Sequence, residues 1–289
     1  MPFHIKLTRL YNRILGSELD LNKKKIISIF MIFILFIIVI FLSSINNISE
    51  NTIETSASVS SNKKIGWGIK RESDHKQPDL GSSNKKILED NNGIAMGNSE
   101  KKYIYLTFDE GYEAGYTEKI LEVLKTNQVP ATFFITAHYV NTQEDLVKKM
   151  IEEGHIVGNH TVNHKSMPDL SEEEIKKEVM DLHQVISEKY NYEMKYIRPP
   201  KGEFSERTIQ ETNKLGYKTV MWSFAYEDWN ENKQPNEEKA KKMILDNLHN
   251  GEIMLLHGNS KTNTNILDGV IKEAKSMGYE FRSLDEFEK

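Results

Sequence analysis

The sequence predicts an α/β domain built on a parallel sheet, from Lys101 to the end of the chain. In this region short apolar runs alternate with segments whose apolar residues repeat at helical spacing. This alternation is typical of strands connected by helices, and strands covered on both faces are apolar throughout. Six or seven such units fit into about 190 residues. We therefore expect either an open doubly wound sheet or a closed barrel of fewer than eight strands.

The individual elements follow from apolar runs and from helix-capping residues. Strands are expected at 103–108, 131–136, 155–157, 195–198, 218–225, 253–257 and 279–284. Helices are expected at 117–127, 146–153, 171–190, 205–215, 237–248 and 266–277. The best defined is helix 171–190, because Ser171 and Glu174 have the spacing of a capping box and the apolar residues that follow repeat on one face.

An unbroken apolar run from Ile26 to Leu42 predicts a transmembrane helix at 26–45. Spanning a bilayer needs roughly 20 helical residues, with about 17 as the lower limit. Basic residues precede the run and acidic residues follow it, so residues 1–25 are expected in the cytoplasm and the later chain outside. A cleaved signal peptide is the alternative. The sequence SSINNISE, however, contains no A-x-A-like cleavage site, and this favours an uncleaved, single-pass anchor.

Residues 46–98 are rich in Asn, Ser, Lys and Gly and show no apolar periodicity. A segment of this kind buries too little apolar surface to offset the conformational entropy that it would lose on folding. The sequence therefore predicts a flexible extracytoplasmic linker at 46–98, followed by a folded domain at 99–289.

The composition excludes several classes of site. The chain has no cysteine, which excludes disulfides, thiolate nucleophiles and cysteine-ligated zinc, so a metal site must use His, Asp and Glu. A net charge of −5 provides no basic field for nucleic acid. The sequence contains neither a G-x-S-x-G motif nor a glycine-rich phosphate loop, which argues against a serine nucleophile and a nucleotide site.

Titratable residues collect at the predicted carboxyl ends of the strands, where α/β domains have their active sites. These residues are Asp109 and Glu110, His160 and His164, Arg198, Glu227 and Asp228, and His257. Alone, the acidic pair in YLTFDEG (105–111) is typical of a turn, and alternation along a strand sends its two side chains to opposite faces. Because five strand ends contribute such groups, we interpret the pair as part of a catalytic site.

His160 and His164 have the spacing of His-x-x-x-His metal sites, in which both imidazoles share one face of a helical turn. A carboxylate from a neighbouring strand could complete a catalytic site with three protein ligands. A metal there would lower the pKa of bound water and polarise a carbonyl oxygen. With a second carboxylate as base and an opposed histidine as acid, the residues indicate hydrolysis of an amide or ester without a covalent intermediate.

Five motifs occur in a fixed order: TFDEG (107–111), HTVNH (160–164), RPPKG (198–202), EDW (227–229) and LLH (255–257). Together they resemble the motifs of the NodB-type polysaccharide deacetylases, the family 4 carbohydrate esterases, over residues 101–289. The resemblance implies a distorted (β/α) barrel of about seven strands and a hydrolase that acts on linear amides. It also implies a divalent metal, zinc by preference, with cobalt or manganese as alternatives that suit the same hard ligands.

The resemblance assigns four catalytic roles. Asp109 corresponds to the catalytic base and Arg198 to the residue that orients it. His257 corresponds to the general acid, supported by Asp228.

The resemblance also assigns ligands and substrate contacts. His160 and His164 correspond to metal ligands, and Glu110 stands where the family usually has a metal-binding Asp. The extra methylene of Glu110 would displace the metal or change its coordination. The resemblance implies substrate contacts from the backbone N–H of Lys201, which replaces the usual aromatic residue, and from Trp229 and Leu255. Independently of the resemblance, Tyr112 follows the acidic pair and could either stack on a sugar ring or pack against the domain.

The longer context, IYLTFDEGYEAGYT with RPPKGEFSE, is similar to the spore-cortex branch of the family. That branch deacetylates N-acetylmuramic acid in peptidoglycan whose stem peptides have been removed, which requires an upstream amidase, and a muramic δ-lactam then closes. The expected location is the membrane, with the enzyme facing the cell wall or the intermembrane space of the forespore. Two alternatives remain: a deacetylase of N-acetylglucosamine in cell-wall or chitin-like glycan, and a non-catalytic glycan-binding protein.

Overall fold

The computed structural model describes residues 60–289 and, before them, Lys25, Ile34 and residues 36–38. The predicted cytoplasmic segment, most of the predicted membrane helix and residues 46–59 of the predicted linker therefore lie outside the described residues. Among the residues that are described, no helix is both long enough and apolar enough to cross a membrane.

Residues 60–289 form one unit in which strands and helices alternate. The strands are β1 (Ile65–Gly66), β2 (Tyr103–Glu110), β3 (Ala131–Ile135), β4 (Ile156–Asn159), β5 (Tyr196–Ile197), β6 (Glu203–Phe204), β7 (Lys218–Thr219), β8 (Glu252–His257) and β9 (Glu280–Phe281). The helices are α1 (Ser82–Asp90), α2 (Thr117–Asn127), α3 (Ala137–Thr142), α4 (Glu144–Glu152), α5 (Glu172–Tyr190), α6 (Glu206–Lys214), α7 (Glu237–Asp246) and α8 (Lys261–Ser276).

Seven of the strands in residues 60–289 form a parallel sheet with the order β7-β5-β4-β3-β2-β8, and β9 pairs with the first residues of β2. The sheet curls because residues 220–224 bridge its two edges. The N–H of Val220 donates to the carbonyl of Ile197 on β5, and the N–H of Leu255 on β8 donates to the carbonyl of Phe224. The predicted α/β domain with a parallel sheet of about seven strands is thus confirmed, and the sheet is curled.

Helices on the outside of the sheet bury their apolar faces against it. Ile120, Leu121 and Leu124 of α2 are fully buried, as are Val179 and Leu182 of α5. The predicted capping box at the start of α5 is present. Most element boundaries agree with the prediction to within a few residues.

Two elements differ from the prediction for local reasons. The strand predicted at 218–225 ends at Thr219, because the chain then crosses from β5 to β8 instead of continuing one ladder. The helix predicted to begin at residue 266 begins at Lys261, because the side chain of Ser260 accepts the N–H of Asn263 and caps it.

The prediction of a flexible linker is wrong for residues 60–98, which we call the N-terminal strap. The strap contains β1, which pairs with β6, and helix α1. Trp67 and Leu88 are buried in a cluster with residues of the domain, and Ile94 and Met96 form bridges with Val220 and with β8. The apolar residues of the strap have no period of their own, since they fill a surface that only the folded domain presents.

Candidate active site

The carboxyl ends of the parallel strands surround a cavity of about 1080 Å³. The predicted site residues that line it are Asp109, Tyr112, His160, His164, Lys201, Trp229, Leu255 and His257. Arg198 and Asp228 lie behind this wall, in contact with Asp109 and His257 respectively. The structure therefore brings together every predicted site residue except Glu110.

Asp109 is held by a buried cation. Nη1 of Arg198 donates to Oδ1 of Asp109 at 2.8 Å. Arg198 is itself fully buried, with further N–H groups directed at the carbonyls of Val220 and Met221 and its guanidinium over the ring of Phe134. Burial acts to raise the pKa of the Asp109 carboxyl, but the charge and hydrogen bond of Arg198, together with His160 and His257, outweigh burial and the net shift is downward. The side chain is therefore ionised at neutral pH, as a general base must be.

The imidazoles of His160 and His164 meet at the cavity wall. Nδ1 of His160 lies 2.8 Å from the carbonyl oxygen of Arg198, and because a carbonyl only accepts, this nitrogen carries the proton. Nε2 of the neutral ring then has a lone pair, which faces Oδ2 of Asp109 at 3.6 Å. The two rings lie edge to face, 4.8 Å apart. Burial lowers the pKa of His160 and brings that of His164 to about 4, so both rings are neutral at pH 7.

The HTVNH motif is a loop and not the helical turn that its spacing predicts. Thr161 and His164 have left-handed backbones, with φ of 68° and 54°. The N–H of Thr161 donates to Oδ1 of Asn159, and the backbone and side chain of Asn163 donate to Glu178 on α5. The histidines thus converge because α5 and the end of β4 fix the loop.

Glu110 does not join the histidines in this structure, so its position does not support the predicted role as a metal ligand. Alternation along β2 directs it away from Asp109, toward α2 and α3. There Oε1 accepts from the hydroxyl of Thr117 at 3.3 Å, and Oε2 has no partner within residues 60–289. Burial, with a contribution from nearby Glu113, raises the pKa of Glu110 well above its ordinary value. Direction, and not the extra methylene, separates this carboxyl from the histidines.

Because Glu110 lies apart, the question is whether His160 and His164 could bind the metal that the family resemblance implies. Among the described residues, no group of three or more His, Asp and Glu side chains forms a metal cluster. The histidine pair nevertheless has suitable chemistry, since both rings are neutral and imidazole nitrogen binds zinc, cobalt and manganese. In addition, the Nε2 lone pair of His160 faces the ionised carboxylate of Asp109. Two acceptors that face each other repel, and a cation bound between them would remove this repulsion. His160 and His164 fit as ligands, without Glu110.

His257 has the environment of a general acid. Its Nδ1 lies 2.7 Å from Oδ1 of Asp228, whose Oδ2 accepts the backbone N–H of His257 at 2.9 Å. Burial acts to lower the pKa of His257, but the charge and hydrogen bond of Asp228, together with the charge of Asp109, outweigh it and raise the pKa. Because Asp109 and His257 are directly paired in the ladder of β2 and β8, their side chains lie on the same face of the sheet.

Three residues that the sequence analysis missed support this site. Nδ2 of Asn263 donates to Oδ2 of Asp228 at 2.6 Å, and the hydroxyl of Tyr226 donates to Oδ1 of Asn263. Nδ2 of Asn259 donates to the hydroxyl of Tyr112 at 2.7 Å and to the carbonyl of Trp229 at 3.0 Å. The signal for Asn263 was its position three residues after Ser260, which places it on the first turn of a capped helix directly after His257.

The mouth of the cavity is aromatic. Tyr112 and Trp229, which belong to different loops, are both exposed. The centroid of the Trp229 ring lies 5.7 Å from that of the His257 ring. Leu255 is buried in the wall beneath them. Aromatic faces close to the acid, above an apolar wall, suit a sugar ring that carries a small apolar group such as acetyl.

Comparison with known proteins identifies the family. Residues 96–220 match the model of the polysaccharide deacetylase family. PdaA of Bacillus subtilis strain 168, a peptidoglycan-N-acetylmuramic acid deacetylase, is 43% identical over 234 residues, which are 79% of this chain and 88% of PdaA. The solved structure of B. subtilis PdaA, a family 4 carbohydrate esterase, matches with a TM-score of 0.77 and 40% identity, over 78% of this chain and 97% of that one.

Two further relatives show the range of the family. A peptidoglycan-N-acetylglucosamine deacetylase of Bacillus cereus ATCC 14579 is 33% identical over 193 residues, which are 65% of this chain and 89% of the relative. A pseudoenzyme of family 4 from Bacillus anthracis matches with a TM-score of 0.63 and 28% identity over 68% of either chain. The motifs, the curled parallel sheet and these similarities together make the chain a member of the polysaccharide deacetylase family, the family 4 carbohydrate esterases.

Proposed function

We propose that this protein removes the N-acetyl group of N-acetylmuramic acid in peptidoglycan whose stem peptides have been removed. The observation that carries a hydrolytic function is the pairing of Asp109 with His257 on one face of the sheet. Each has a buried partner of opposite charge, Arg198 for Asp109 and Asp228 for His257, which holds the base and the acid in the protonation states that catalysis requires. Pure glycan binding has no use for such a pair.

The chain's own residues supply the proton transfers. Asp109 accepts a proton from water as the water oxygen attacks the acetyl carbonyl carbon, and Arg198 keeps the carboxylate ionised and oriented. The backbone N–H of Lys201 donates to the oxyanion of the tetrahedral intermediate. Because Nδ1 of His257 is engaged by Asp228, its Nε2 donates a proton to the sugar nitrogen as the C–N bond breaks. The products are acetate and a free amine on the sugar.

A divalent metal belongs to this proposal. We expect zinc, with cobalt or manganese as alternatives, bound by His160 and His164. When bound, it would polarise the acetyl carbonyl and lower the pKa of coordinated water.

The muramic acid preference is supported by the similarity to PdaA. After deacetylation the amine and the lactyl carboxylate belong to one sugar, and well-oriented intramolecular reactions reach effective molarities of about 10⁵ M or more, so a lactam can close. We propose that an amidase acts first and that the enzyme serves the spore cortex. Its site of action would be the wall or the forespore intermembrane space, reached from an anchor at 26–45.

Acetate release from glycan strands tests the proposed function. Peptide-free strands, peptide-bearing strands and N-acetylglucosamine oligomers are compared with the purified enzyme, after chelation and after addition of zinc, cobalt or manganese. We expect release from peptide-free strands, loss on chelation and recovery with metal. Release from N-acetylglucosamine alone would establish the first alternative, and glycan binding without release would establish the second.

Asp109→Asn separates the mechanism from binding. Asparagine keeps an acceptor for Arg198 but cannot take a proton, so acetate release is expected to fall by about 10²–10⁴-fold while glycan binding persists. His257→Ala is the matched variant on the acid side. Acetate release that survives both substitutions would contradict the proposed roles.

A further inference from the structure

Lys201 stands out among the residues that line the cavity, because in the described part of the chain it is the one lysine or arginine there. Its side chain is exposed and has no acidic partner within residues 60–289, whereas its acidic neighbours are already paired. Asp169 and Glu203 both lie near Nζ of Lys64 on the strap, at 2.5 Å and 3.6 Å. Lys201 therefore makes no ion pair within residues 60–289, although its charge also acts on Asp169.

The backbone holds Lys201 at the wall of the cavity. Lys201 and Gly202 have left-handed backbones, with φ of 60° and 65°. The strap fixes this turn, since the backbone N–H of Trp67 donates to the carbonyl of Gly202 at 2.9 Å and its Nε1 donates to the carbonyl of Trp222 at 2.9 Å. A Cβ at Gly202 would lie 2.6 Å from the Trp222 ring, so the turn is packed without spare room.

The acidic groups at the cavity are paired with cationic groups other than Lys201. Asp109 is paired with Arg198, and Asp228 is paired with His257. Lys201 lines the same cavity as the histidine pair and His257. The cavity thus presents one unpaired ammonium group near the position where the acetyl group reacts.

Muramic acid differs from glucosamine by a lactyl ether on the carbon next to the one that bears the acetamido group. Without a stem peptide the lactyl group ends in a free carboxylate, whereas with a stem peptide that carboxyl is a neutral amide. When the acetamido group lies between Asp109 and His257, the neighbouring lactyl group lies a few bonds away. A lysine ammonium is a compact point charge on a flexible stem and can follow such a carboxylate.

We propose that the ammonium group of Lys201 binds the lactyl carboxylate of peptide-free muramic acid. Lys201 thereby selects this sugar over both N-acetylglucosamine and muramic acid that still carries its peptide. This specificity role rests on the proposed deacetylase function and adds to the oxyanion contact, which uses only the backbone N–H of Lys201.

Three substrates and two variants test the proposal. The kcat/KM for acetate release is measured on peptide-free muramic glycan, on the same glycan with its lactyl carboxyls converted to methyl amides, and on N-acetylglucosamine oligomers. Wild type is expected to prefer the free carboxylate over its amide by about tenfold or more. Lys201→Met should lose this preference, so that its kcat/KM falls at least about tenfold more on the free carboxylate than on the amide, whereas Lys201→Arg should retain most of the preference. Added salt should reduce the preference of wild type and have little effect on Lys201→Met.

Lys195→Met is the matched control, because it removes one exposed lysine charge at the opposite end of the sheet, before β5. It should behave as wild type on all three substrates. A Lys201→Met enzyme that keeps the wild-type preference for the free carboxylate overturns the specificity role and leaves the proposed function intact. A wild type that releases acetate from neither muramic substrate overturns the proposed function, and the specificity role with it.

Discussion

Asp109 and Glu110 are adjacent in the sequence and have opposite electrostatic environments. Arg198 lowers the pKa of Asp109, whereas burial without a counter-charge raises that of Glu110. Strand alternation predicts that the two side chains diverge. It does not say which face the histidines occupy, because that depends on loops from β4 and β5. This is why the sequence could place Asp109 at the cavity and could not show that Glu110 faces away from it.

The buried carboxyl of Glu110 makes stability depend on pH. Its pKa in the folded state is raised above the unfolded value near 4.5, so its stabilising contribution is complete below that value and is lost as pH rises toward the folded pKa. Glu110→Gln is a neutral isostere that removes this dependence. We expect the variant to gain stability relative to wild type as pH rises, by about 1.4 kcal/mol per pH unit between the two pKa values.

Urea unfolding of wild type and Glu110→Gln at about pH 5 and about pH 8 measures this difference. Acetate release should stay within a few-fold of wild type, since Glu110 does not line the cavity. A variant that loses its metal or its activity, with stability unchanged, would show instead that Glu110 is a metal ligand, as the family resemblance implied.

Asp228 sets the protonation of His257, and its charge raises the pKa of that imidazole. Asp228→Asn removes the charge, so the pKa of His257 should fall and the protonated acid should disappear at lower pH. The basic limb of the kcat/KM profile is therefore expected to move to lower pH, while the acidic limb, which reports Asp109, stays in place. Asn263→Ala removes a neutral contact to the same carboxylate and should shift the limb less.

At the scale of elements, long apolar strands and capped helices were predicted well, and short elements were not. Strands β5 and β7 have two residues each in their ladders, so flanking residues of similar composition made them look longer. Helix α1 has few apolar residues and forms because Leu88 is buried against the domain. Helix α3 has only six residues and is capped by Thr136. It begins two residues after β3 ends and is too short for its apolar residues to show a helical period. For β5, β7 and α1, tertiary contacts that are absent from the local sequence decide the structure.

Glu110 at the end of β2 packs closely against Gly258 in the turn after β8. A Cβ added at Gly258 would lie 1.9 Å from Oε1 of Glu110, so Gly258→Ala must displace the carboxyl or the turn that follows His257. We expect a destabilisation of about 1–3 kcal/mol and reduced activity. Glu110→Ala removes the obstructing group and should relieve part of this cost.

A double-mutant cycle with urea unfolding measures the coupling. The combined variant should be less destabilised than the sum of the two single variants. Additive effects would mean that Gly258 is required for a reason other than its contact with Glu110.

At the scale of the whole molecule, the strap makes the folded unit larger than the family's five motifs indicate. The motifs begin at residue 107, yet Trp67 supports the turn at Gly202, and Arg71 donates to the carbonyl of Ala225, which lines the cavity. The residues that line the cavity could be predicted because titratable groups at strand ends leave a local pattern. The strap could not, because its order comes from surfaces that residues after 100 create.

Two truncated chains distinguish a folded strap from a tether. A chain that begins at Ser60 keeps every described contact of the domain and should unfold as one cooperative unit with full acetate release. A chain that begins at Ser99 exposes the pocket of Phe204 and Met221 and loses several buried side chains, each contributing roughly 1.5–3 kcal/mol. Since domains are stable by only about 5–15 kcal/mol, the shorter chain should be unfolded or have a much lower urea midpoint and little activity. Equal stability and activity of the two chains would support the prediction of a flexible linker up to residue 98.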